Sequence, residues 1–225
     1  MDYLRRTPDS LLTPETMIQL LQQVDSWKIR PSTIFEGYLE IVKTRKDKDS
    51  NITIHIDPEN GNVRKFAGHS SSNPTIQKEA DVWNIALDVF KVNRSIVLGT
   101  VRQLKPDPSR GWEQVNFIEM PYMGLPLSYF EKVVPGSIPR RAREEFTNHM
   151  LQIVEEKGII HPDLNLENVL VRVENGILQL FPIDWESADK RRTGISNKLD
   201  YYLAVQRSKC QAIFAKYYPG DYSRQ

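Results

Sequence analysis

Residues 158–188, which read GIIHPDLNLENVLVRVENGILQLFPIDWESA, constrain the fold more than any other part of the sequence. A polar loop, a short apolar strand, a turn, a second apolar strand and an acidic residue follow one another here. In order, these are His161, Asp163 and Asn168, the strand 169–171, the turn Glu174-Asn175-Gly176, the strand 177–183 and Asp184. We interpret the segment as a functional loop beside a β-hairpin. The alternative is that Asp163 and Asn168 only stabilise a turn and that Asp184 caps an element.

Upstream of this segment, the sequence pattern predicts an antiparallel sheet interrupted by one helix. Ile52, Ile54 and Ile56 alternate with polar residues, as in a half-buried strand, and Gly61 in the sequence PENG suits a tight turn. The predicted strands are residues 34–42, 52–56, 63–67, 96–103 and 113–120, and the predicted helix is 74–90. The predicted order is therefore β-β-β-α-β-β.

Downstream of residue 120 the pattern becomes helical. The predicted helices are residues 127–133, 140–157 and 199–218, and one helix is predicted to begin earlier, at Thr13-Pro14. Gly158 suits the position that follows a helix end. The sequence thus predicts an α+β protein. Its predicted parts are an N-terminal extension and helix (1–30), a β-rich lobe (31–120) and a mostly helical lobe (121–225), which begins with a connector at 121–127.

The composition excludes several kinds of function. The formal net charge of the 225 residues is +1, which gives no overall attraction to nucleic acid or to a membrane surface. Cys210 is the sole cysteine, so an internal disulfide and a cysteine-ligated zinc site are both excluded. No apolar run is long enough for a signal peptide or a transmembrane helix. We expect a monomer with an ordinary hydrophobic core.

The residue types around Asp163 suit phosphoryl transfer. This reaction needs positioning and charge neutralisation more than covalent help from the enzyme. We expect Asp163 to orient the attacking hydroxyl group and to accept its proton late in the reaction. Magnesium prefers hard oxygen ligands, which Asn168 and Asp184 would supply. His161 is expected to brace the loop by packing and hydrogen bonding, without a catalytic role.

The string H-x-D-x4-N, followed by a strand that ends in Asp, resembles the catalytic centre of the protein-kinase superfamily. Within it, the chain resembles the small effector kinases that bacterial pathogens deliver by type III secretion, through H-x-DLN-x-x-N at 161–168 and LFPID at 180–184. The resemblance covers roughly residues 40–215. It implies a minimal two-lobed kinase-like fold, with a five-stranded antiparallel N-lobe and a truncated, mostly helical C-lobe. The implied cofactors are ATP and Mg²⁺, with Mn²⁺ as a substitute.

The resemblance also implies an ATP-contacting lysine on the third strand. Lys65 occupies that place, and its compact ammonium group would bridge the phosphates of the nucleotide. Glu79 on the following helix would be its carboxylate partner, with Asp81 as the alternative. Lys43 is the alternative lysine because EIVK resembles the usual VAIK, although it precedes the second strand.

Nucleotide binding is expected to use backbone groups of the connector and a basic loop. Proline has no N–H group, so Pro121 cannot donate to adenine. We therefore place the acceptor carbonyl at Met120 and the donor amide at Tyr122. The glycine-rich phosphate loop of kinases is replaced by KTRKDKDSN, in which Lys43 and Ser50 are the candidate contacts. Two alternatives follow: either the positive charge of this loop compensates for the missing glycines, or the protein binds nucleotide weakly.

Further departures from the kinase pattern bear on regulation and on substrate binding. Pro162 replaces the arginine that reads a phosphorylated activation loop, which implies an enzyme that is constitutively competent or activated by a host partner. Asp184-Trp185-Glu186 replaces the DFG triplet, and the lost glycine should restrict movement of the metal-binding Asp. The chain ends soon after Asp184 and has no APE motif, so we expect the substrate to bind another surface or a partner to supply substrate recognition.

The leading expectation is an ATP- and Mg²⁺-dependent protein kinase that is secreted into the host cytoplasm and phosphorylates Ser, Thr or Tyr on a host protein. A type III secretion signal would look like an ordinary polar N-terminus. A second hypothesis is a small-molecule phosphotransferase of the aminoglycoside or choline kinase type, in which the string IDWE at 183–186 is common. A third is a kinase-fold binding module without catalysis, and a fourth is an enzyme that uses the nucleotide for adenylation or glutamylation. Neither nucleic acid nor a membrane is an expected partner.

Overall fold

The structure is a computed structural model that describes residues 13–22, 27–43, 53–92, 95–105, 107–174, 177–190 and 198–221. The protein is mixed α+β, with a large antiparallel sheet, smaller sheets and several helices, so the predicted α+β class is confirmed. Two compact units make up the chain. The first is Met1–Asp81 with Arg94–Tyr122, and the second is Val82–Asn93 with Met123–Gln225.

A six-stranded antiparallel sheet forms the framework of the first unit. Its strands are β1 (Trp27–Pro31), β2 (Leu39–Lys43), β3 (Thr53–Ile56), β4 (Asn62–Phe66), β5 (Val97–Leu104) and β6 (Trp112–Pro121). They lie in the order β1-β2-β3-β4-β6-β5. The sequence predicts five of these strands. The prediction of a five-stranded sheet is wrong by one strand, because β1 pairs with β2 at the edge of the sheet.

The first predicted strand begins later than expected, at Leu39 instead of Ile34. The hydroxyl oxygen of Ser32 accepts hydrogen bonds from the N–H groups of Ile34 and Phe35, at 3.1 and 2.9 Å. Gly37 then adopts a φ of 78°, which favours glycine. These residues form the turn that lets β2 reverse direction and pair with β1, so they cannot themselves be strand.

One face of the large sheet carries a row of alternating charges around a histidine. The strand register places Arg30, Glu40, His55, Arg64 and Glu119 side by side on consecutive strands. Arg30 Nε lies 2.7 Å from the Glu40 carboxylate, and Arg64 Nε lies 2.5 Å from the Glu119 carboxylate. Opposite charges on neighbouring strands stabilise the pairing, so this row contributes to the strand register.

An aromatic cluster covers the middle of that row. The ring of Phe35 contacts the rings of His55, Phe66 and Phe117 at centroid distances of 5.0, 5.8 and 5.1 Å. Gly99 makes room for Phe117, because a Cβ at this position would lie 2.3 Å from the phenyl ring. The turn between β1 and β2 therefore covers this face, and His55 is fully buried beneath it.

Helix α1 (Pro14–Gln22) precedes β1 in the sequence, and helix α2 (Asn73–Val89) lies between β4 and β5. The hydroxyl oxygen of Thr13 accepts a hydrogen bond from the N–H of Thr16 at 3.2 Å, as expected of a cap. Asn73 fixes the start of α2, since its side-chain oxygen accepts the N–H of Asn116 at 2.7 Å. Both predicted helix starts are confirmed to within one residue.

The second unit contains the end of α2, from Val82, and further helices and short strands that follow Met123. They are β7 (Leu125–Pro126), α3 (Leu127–Val133), α4 (Arg140–Lys157), β8 (Ile159–Ile160), β9 (Val169–Glu174), β10 (Ile177–Pro182), β11 (Asp189–Lys190) and α5 (Leu199–Ala215). The small sheets have the orders β10-β9-β7 and β11-β8. Helix α5 is three residues shorter than predicted and precedes a 3-10 turn at Pro219–Asp221. Among the described residues, no helix is both long and apolar enough to cross a membrane.

Candidate active-site residues

Asp163 lies on the loop between β8 and β9 in the second unit. Helix α4 ends at Lys157, and Gly158 then adopts the left-handed conformation with a φ of 65°. Its N–H donates to the carbonyl oxygen of Val154 at 3.1 Å and closes the last turn. The chain then passes through β8 to a buried His161 and an exposed Asp163. The carboxylate of Asp163 is therefore presented to solvent on a loop that starts from a rigid helix end.

Two asparagine side chains fix the backbone around Asp163. Asn165 Oδ1 accepts the N–H groups of Glu167 and Asn168 at 2.8 and 3.2 Å. Asn168 Nδ2 donates to the backbone oxygen of Asp163 at 2.9 Å and to its carboxylate at 3.2 Å. Asn168 is 9% exposed, so this contact is largely shielded from water. The loop thus orients Asp163 through direct bonds from Asn168.

The hairpin β9–β10 places Asp184 next to the same loop. Val169 pairs with Pro182, and the N–H of Ile183 donates to the backbone oxygen of Asn168 at 2.9 Å. Asp184 follows with φ and ψ of 66° and 58°, in the left-handed region. This conformation costs an L-residue about 1–2 kcal/mol, and strained residues of this kind cluster at functional sites.

His161 braces the end of the hairpin. Its Nε2 lies 2.8 Å from the backbone oxygen of Ile183 and donates to it. Its ring lies against the fully buried ring of Trp185, with centroids 4.5 Å apart. Burial lowers the pKa of His161, while the Ile183 bond and the charges of Asp184 and Asp163 oppose this shift. The contacts agree with the packing role predicted for His161.

Helix α5 adds two contacts to this loop that the sequence reasoning missed. The side-chain oxygen of Gln206 accepts the N–H of His161 at 3.0 Å, and Gln206 is fully buried. Lys209 Nζ donates to the backbone oxygen of Pro162. No local motif signals either residue, since Gln206 lies 45 positions after His161. The two residues that precede Asp163 are therefore held by a distant helix.

In the first unit, Lys65 on β4 forms an ion pair with Glu79 on α2. Lys65 Nζ lies 2.9 and 2.7 Å from the two carboxylate oxygens of Glu79. Lys65 is 9% exposed and Glu79 is 0% exposed. Asp81, the alternative partner, is exposed and instead accepts a hydrogen bond from Gln77 at 3.1 Å. Buried ion pairs contribute little net stability, so this pair is a candidate for a functional role.

The predicted backbone donor of the connector is already occupied. The N–H of Tyr122 donates to the backbone oxygen of Gly61 at 2.6 Å, which continues the pairing of β4 with β6. Met120 pairs with Val63 in the same ladder. Since backbone groups alternate in direction along an antiparallel strand, Tyr122 and Met120 both point toward β4. The prediction that these two residues contact adenine is therefore corrected.

The basic loop expected at the phosphates lies largely outside the described residues. Lys43 is the last residue of β2, and its side chain is not among those described. Ser50 falls in the stretch 44–52, which the structure does not describe. The expected contacts of Lys43 and Ser50 with a nucleotide stay predictions.

No family model matches the chain, and no curated protein matches it as a relative.

Proposed function

We propose that this protein is an ATP- and Mg²⁺-dependent phosphotransferase with a minimal two-lobed kinase-like fold, in which Asp163 orients the acceptor hydroxyl. The observation that carries the proposal lies in the second unit. Asn168 joins the loop to the hairpin: its Nδ2 donates to the backbone oxygen of Asp163 at 2.9 Å, and its own backbone oxygen accepts the N–H of Ile183, next to Asp184, at 2.9 Å. A turn that only needed to satisfy its own backbone would not require the oxygen-bearing side chains of Asp163, Asn168 and Asp184 on adjoining segments. Nor would it require the left-handed backbone of Asp184.

The first unit adds independent support. Apart from β1, its sheet runs β2-β3-β4-β6-β5, with α2 inserted between β4 and β5. A lysine on the central strand β4 and a glutamate on the following helix form a buried ion pair. In the kinase pattern that pair positions the lysine for the nucleotide phosphates. This supports Lys65 and Glu79 in the roles expected from the sequence.

The proposed reaction divides simply among these residues. The acceptor oxygen forms a bond to the γ-phosphorus as the bond from that phosphorus to the bridging oxygen breaks, and ADP leaves. Asp163 accepts the hydroxyl proton late in this step. Lys65 would neutralise charge on the nucleotide phosphates, with Glu79 fixing its ammonium group. Asp163 is exposed, as a group that must reach an acceptor hydroxyl needs to be.

Asn168 and Asp184 suit a magnesium ion by the chemistry of their donors. Asn168 directs its amide nitrogen toward Asp163, so its amide oxygen is the group left for a hard cation. Asp184 supplies a carboxylate. When bound, the ion would neutralise phosphate charge.

The backbone groups proposed to contact adenine lie one residue later in the connector than Met120 and Tyr122, the residues expected from the sequence. Because Tyr122 and Met120 direct their backbone groups toward β4, the alternate position belongs to Pro121. We therefore propose the Pro121 carbonyl as the acceptor of an adenine proton, with the N–H of Met123 as the donor. Proline is compatible with the first role, since it retains its carbonyl oxygen.

The protein acceptor and the delivery into a host cell rest on the sequence resemblance alone. We propose that the substrate is a Ser, Thr or Tyr hydroxyl of a host protein in the host cytoplasm, reached by type III secretion. A small-molecule acceptor and a non-catalytic binding role are outcomes of the experiment below.

The experiment compares wild-type protein with the Asp163→Ala variant in host-cell lysate with Mg²⁺ and ATP, using quantitative phosphopeptide mass spectrometry. A parallel series measures ATP consumption with aminoglycosides and amino alcohols. Phosphosites found with wild type alone support a protein kinase. ATP consumption that needs a small molecule and Asp163 moves the acceptor to that class. Identical results for both proteins in both series, with nucleotide binding intact, reject phosphotransfer.

A further inference from the structure

The β5–β6 hairpin presents an exposed face on the first unit. We call it the hairpin face, and its residues are Thr100, Arg102 and Leu104 on β5 and Trp112 and Gln114 on β6. The register pairs Arg102 with Gln114 and Leu104 with Trp112, and Gln114 Nε2 donates to the Thr100 hydroxyl at 3.0 Å. These contacts show that the five side chains lie on one side of the hairpin.

Two large apolar side chains on this face are adjacent and half exposed. Leu104 is 50% exposed and Trp112 is 53% exposed, and they lie directly opposite one another across the strands. Isolated apolar residues are common on protein surfaces, but a contiguous pair that includes tryptophan is typical of interaction sites. Burying the two side chains against a partner would remove apolar surface from water.

Arg102 differs from the other described arginines of the first unit. Arg30, Arg64 and Arg110 each lie within 3.2 Å of a carboxylate. The guanidinium carbon of Arg102 instead lies 5.3 Å from the centroid of the Trp112 ring, and no ion pair joins it to another described residue. The face therefore combines an aromatic ring with a positive charge that has no carboxylate within the described chain, which is complementary to an acidic partner.

Strand β5 also forms one edge of the large sheet. It pairs with β6 on one side, and no described strand pairs with its other side over Val97–Leu104. An open edge offers backbone N–H and C=O groups to an additional strand. Side chains of an added strand would alternate between the two sheet faces, so residues two apart would share the hairpin face.

We propose that the hairpin face binds an extended segment of another protein that carries a carboxylate two residues away from a large apolar side chain. The carboxylate would pair with Arg102, and the apolar side chain would pack on Leu104 and Trp112. The two-residue spacing follows from the spacing of Arg102 and Leu104 along β5. This inference does not depend on phosphotransfer, because it uses none of the residues around Asp163.

The test uses the full chain and the peptide fluorescein-TVTETFTS-amide, which is labelled at its N-terminus and has glutamate and phenylalanine two residues apart. Fluorescence anisotropy should show saturable binding to wild type. Arg102→Glu should weaken this binding by about tenfold or more and should favour the peptide with lysine in place of glutamate. Trp112→Ser should weaken binding of both peptides. Arg140→Glu is the matched control, since Arg140 is an exposed arginine on α4 in the second unit.

A second measurement locates the bound peptide. Amide hydrogen exchange should slow at β5 when the peptide is added, and the peptide with serine in place of phenylalanine should have a smaller effect. The proposal is overturned if wild type does not bind the peptide, if Arg102→Glu behaves like Arg140→Glu, or if the protected amides lie away from β5. Sedimentation of the protein without peptide tests for self-association. A dimer formed through β5 would also contradict the proposal.

Discussion

The backbone N–H of His161 donates to the side-chain oxygen of Gln206 at 3.0 Å, which ties the loop of Asp163 to helix α5. Both residues are almost completely inaccessible to solvent. One helical turn further along α5, Lys209 contacts the backbone oxygen of Pro162. Helix α5 therefore holds the two residues before Asp163. Pro162 has no charged side chain that could fix the loop from its own position.

Removing the acceptor of Gln206 should loosen this loop. Gln206→Leu leaves the buried N–H of His161 without a partner, which should lower the free energy of unfolding by about 1–3 kcal/mol. Hydrogen exchange of the His161 amide should accelerate, and Gln206→Glu should restore its protection because it retains an acceptor. Urea unfolding and hydrogen exchange measure both effects, with Gln152→Leu on α4 as control. Native protection in Gln206→Leu would contradict the role.

The Lys65–Glu79 pair should respond strongly when one partner is removed. Lys65→Met leaves the fully buried Glu79 carboxylate without its lysine counter-ion, which should lower the free energy of unfolding by about 3–5 kcal/mol. The double variant Lys65→Met/Glu79→Leu should lose less than the sum of the two single variants. A double-mutant cycle by urea unfolding measures this coupling. The exposed pair of Arg141 and Glu145 is the control, and its loss should cost less than about 1 kcal/mol. Equal costs for the two pairs would show that Lys65 and Glu79 are not coupled.

His55 should make the protein less stable in acid. Burial lowers the pKa of its imidazole to about 4; the nearby Glu40 carboxylate opposes this shift, whereas Arg64 and Arg30 add to it. The unfolded chain takes up this proton near the ordinary pKa of 6.5, so between pH 6.5 and pH 4 it binds more protons than the folded chain. The free energy of unfolding should therefore fall by up to about 3 kcal/mol over that range.

Variants of His55 and of the half-buried His149 separate this contribution from that of other groups. His55→Gln should flatten the dependence of urea unfolding on pH between 4 and about 6.5. His149→Gln should retain most of it, although burial also lowers the pKa of His149. An unchanged pH profile in His55→Gln would rule out His55 as the group that titrates.

Gly124 should tolerate a side chain far less well than Gly136. Both have positive φ, of 112° and 70°, so alanine strains the backbone at either position. A Cβ at Gly124 would also lie 2.1 Å from the backbone oxygen of Val171, whereas Gly136 has open space. Gly136→Ala should cost about 1–2 kcal/mol, and Gly124→Ala about 1–3 kcal/mol more. Thermal or urea unfolding compares the two, and equal losses would contradict the close approach of β7 to β9.

Local sequence signals predicted much of the secondary structure. Helices α3 and α4 have the bounds expected from apolar periodicity, and Gly158 marks the end of α4 as a left-handed residue. The strand β1 was missed although WKIRP alternates apolar and charged residues, because the run is only five residues long, ends in proline and pairs with β2 alone. A helix or a turn can be predicted from a few neighbouring residues in the sequence, whereas an edge strand forms only where a partner strand is available.

The residues of the candidate site likewise fall into those that local sequence predicts and those that depend on distant pairing. Asp163, Asn168 and Asp184 lie within one short stretch of sequence, so the loop and hairpin that connect them follow from local pattern. The register that turns the N–H of Tyr122 toward Gly61 depends on pairing across 61 residues and could not be read from the connector. Gln206 likewise leaves no sequence signature, because its role is defined by a distant backbone amide.

The central claim is that Asp163 supports phosphoryl transfer without being needed to bind ATP. The most direct test measures transfer from γ-labelled ATP with Mg²⁺ to an acceptor, for wild type and Asp163→Ala, beside the nucleotide dissociation constant from calorimetry. The account predicts a loss of transfer of about 10²–10⁴-fold with little change in ATP affinity. Transfer at the wild-type rate in Asp163→Ala would contradict it.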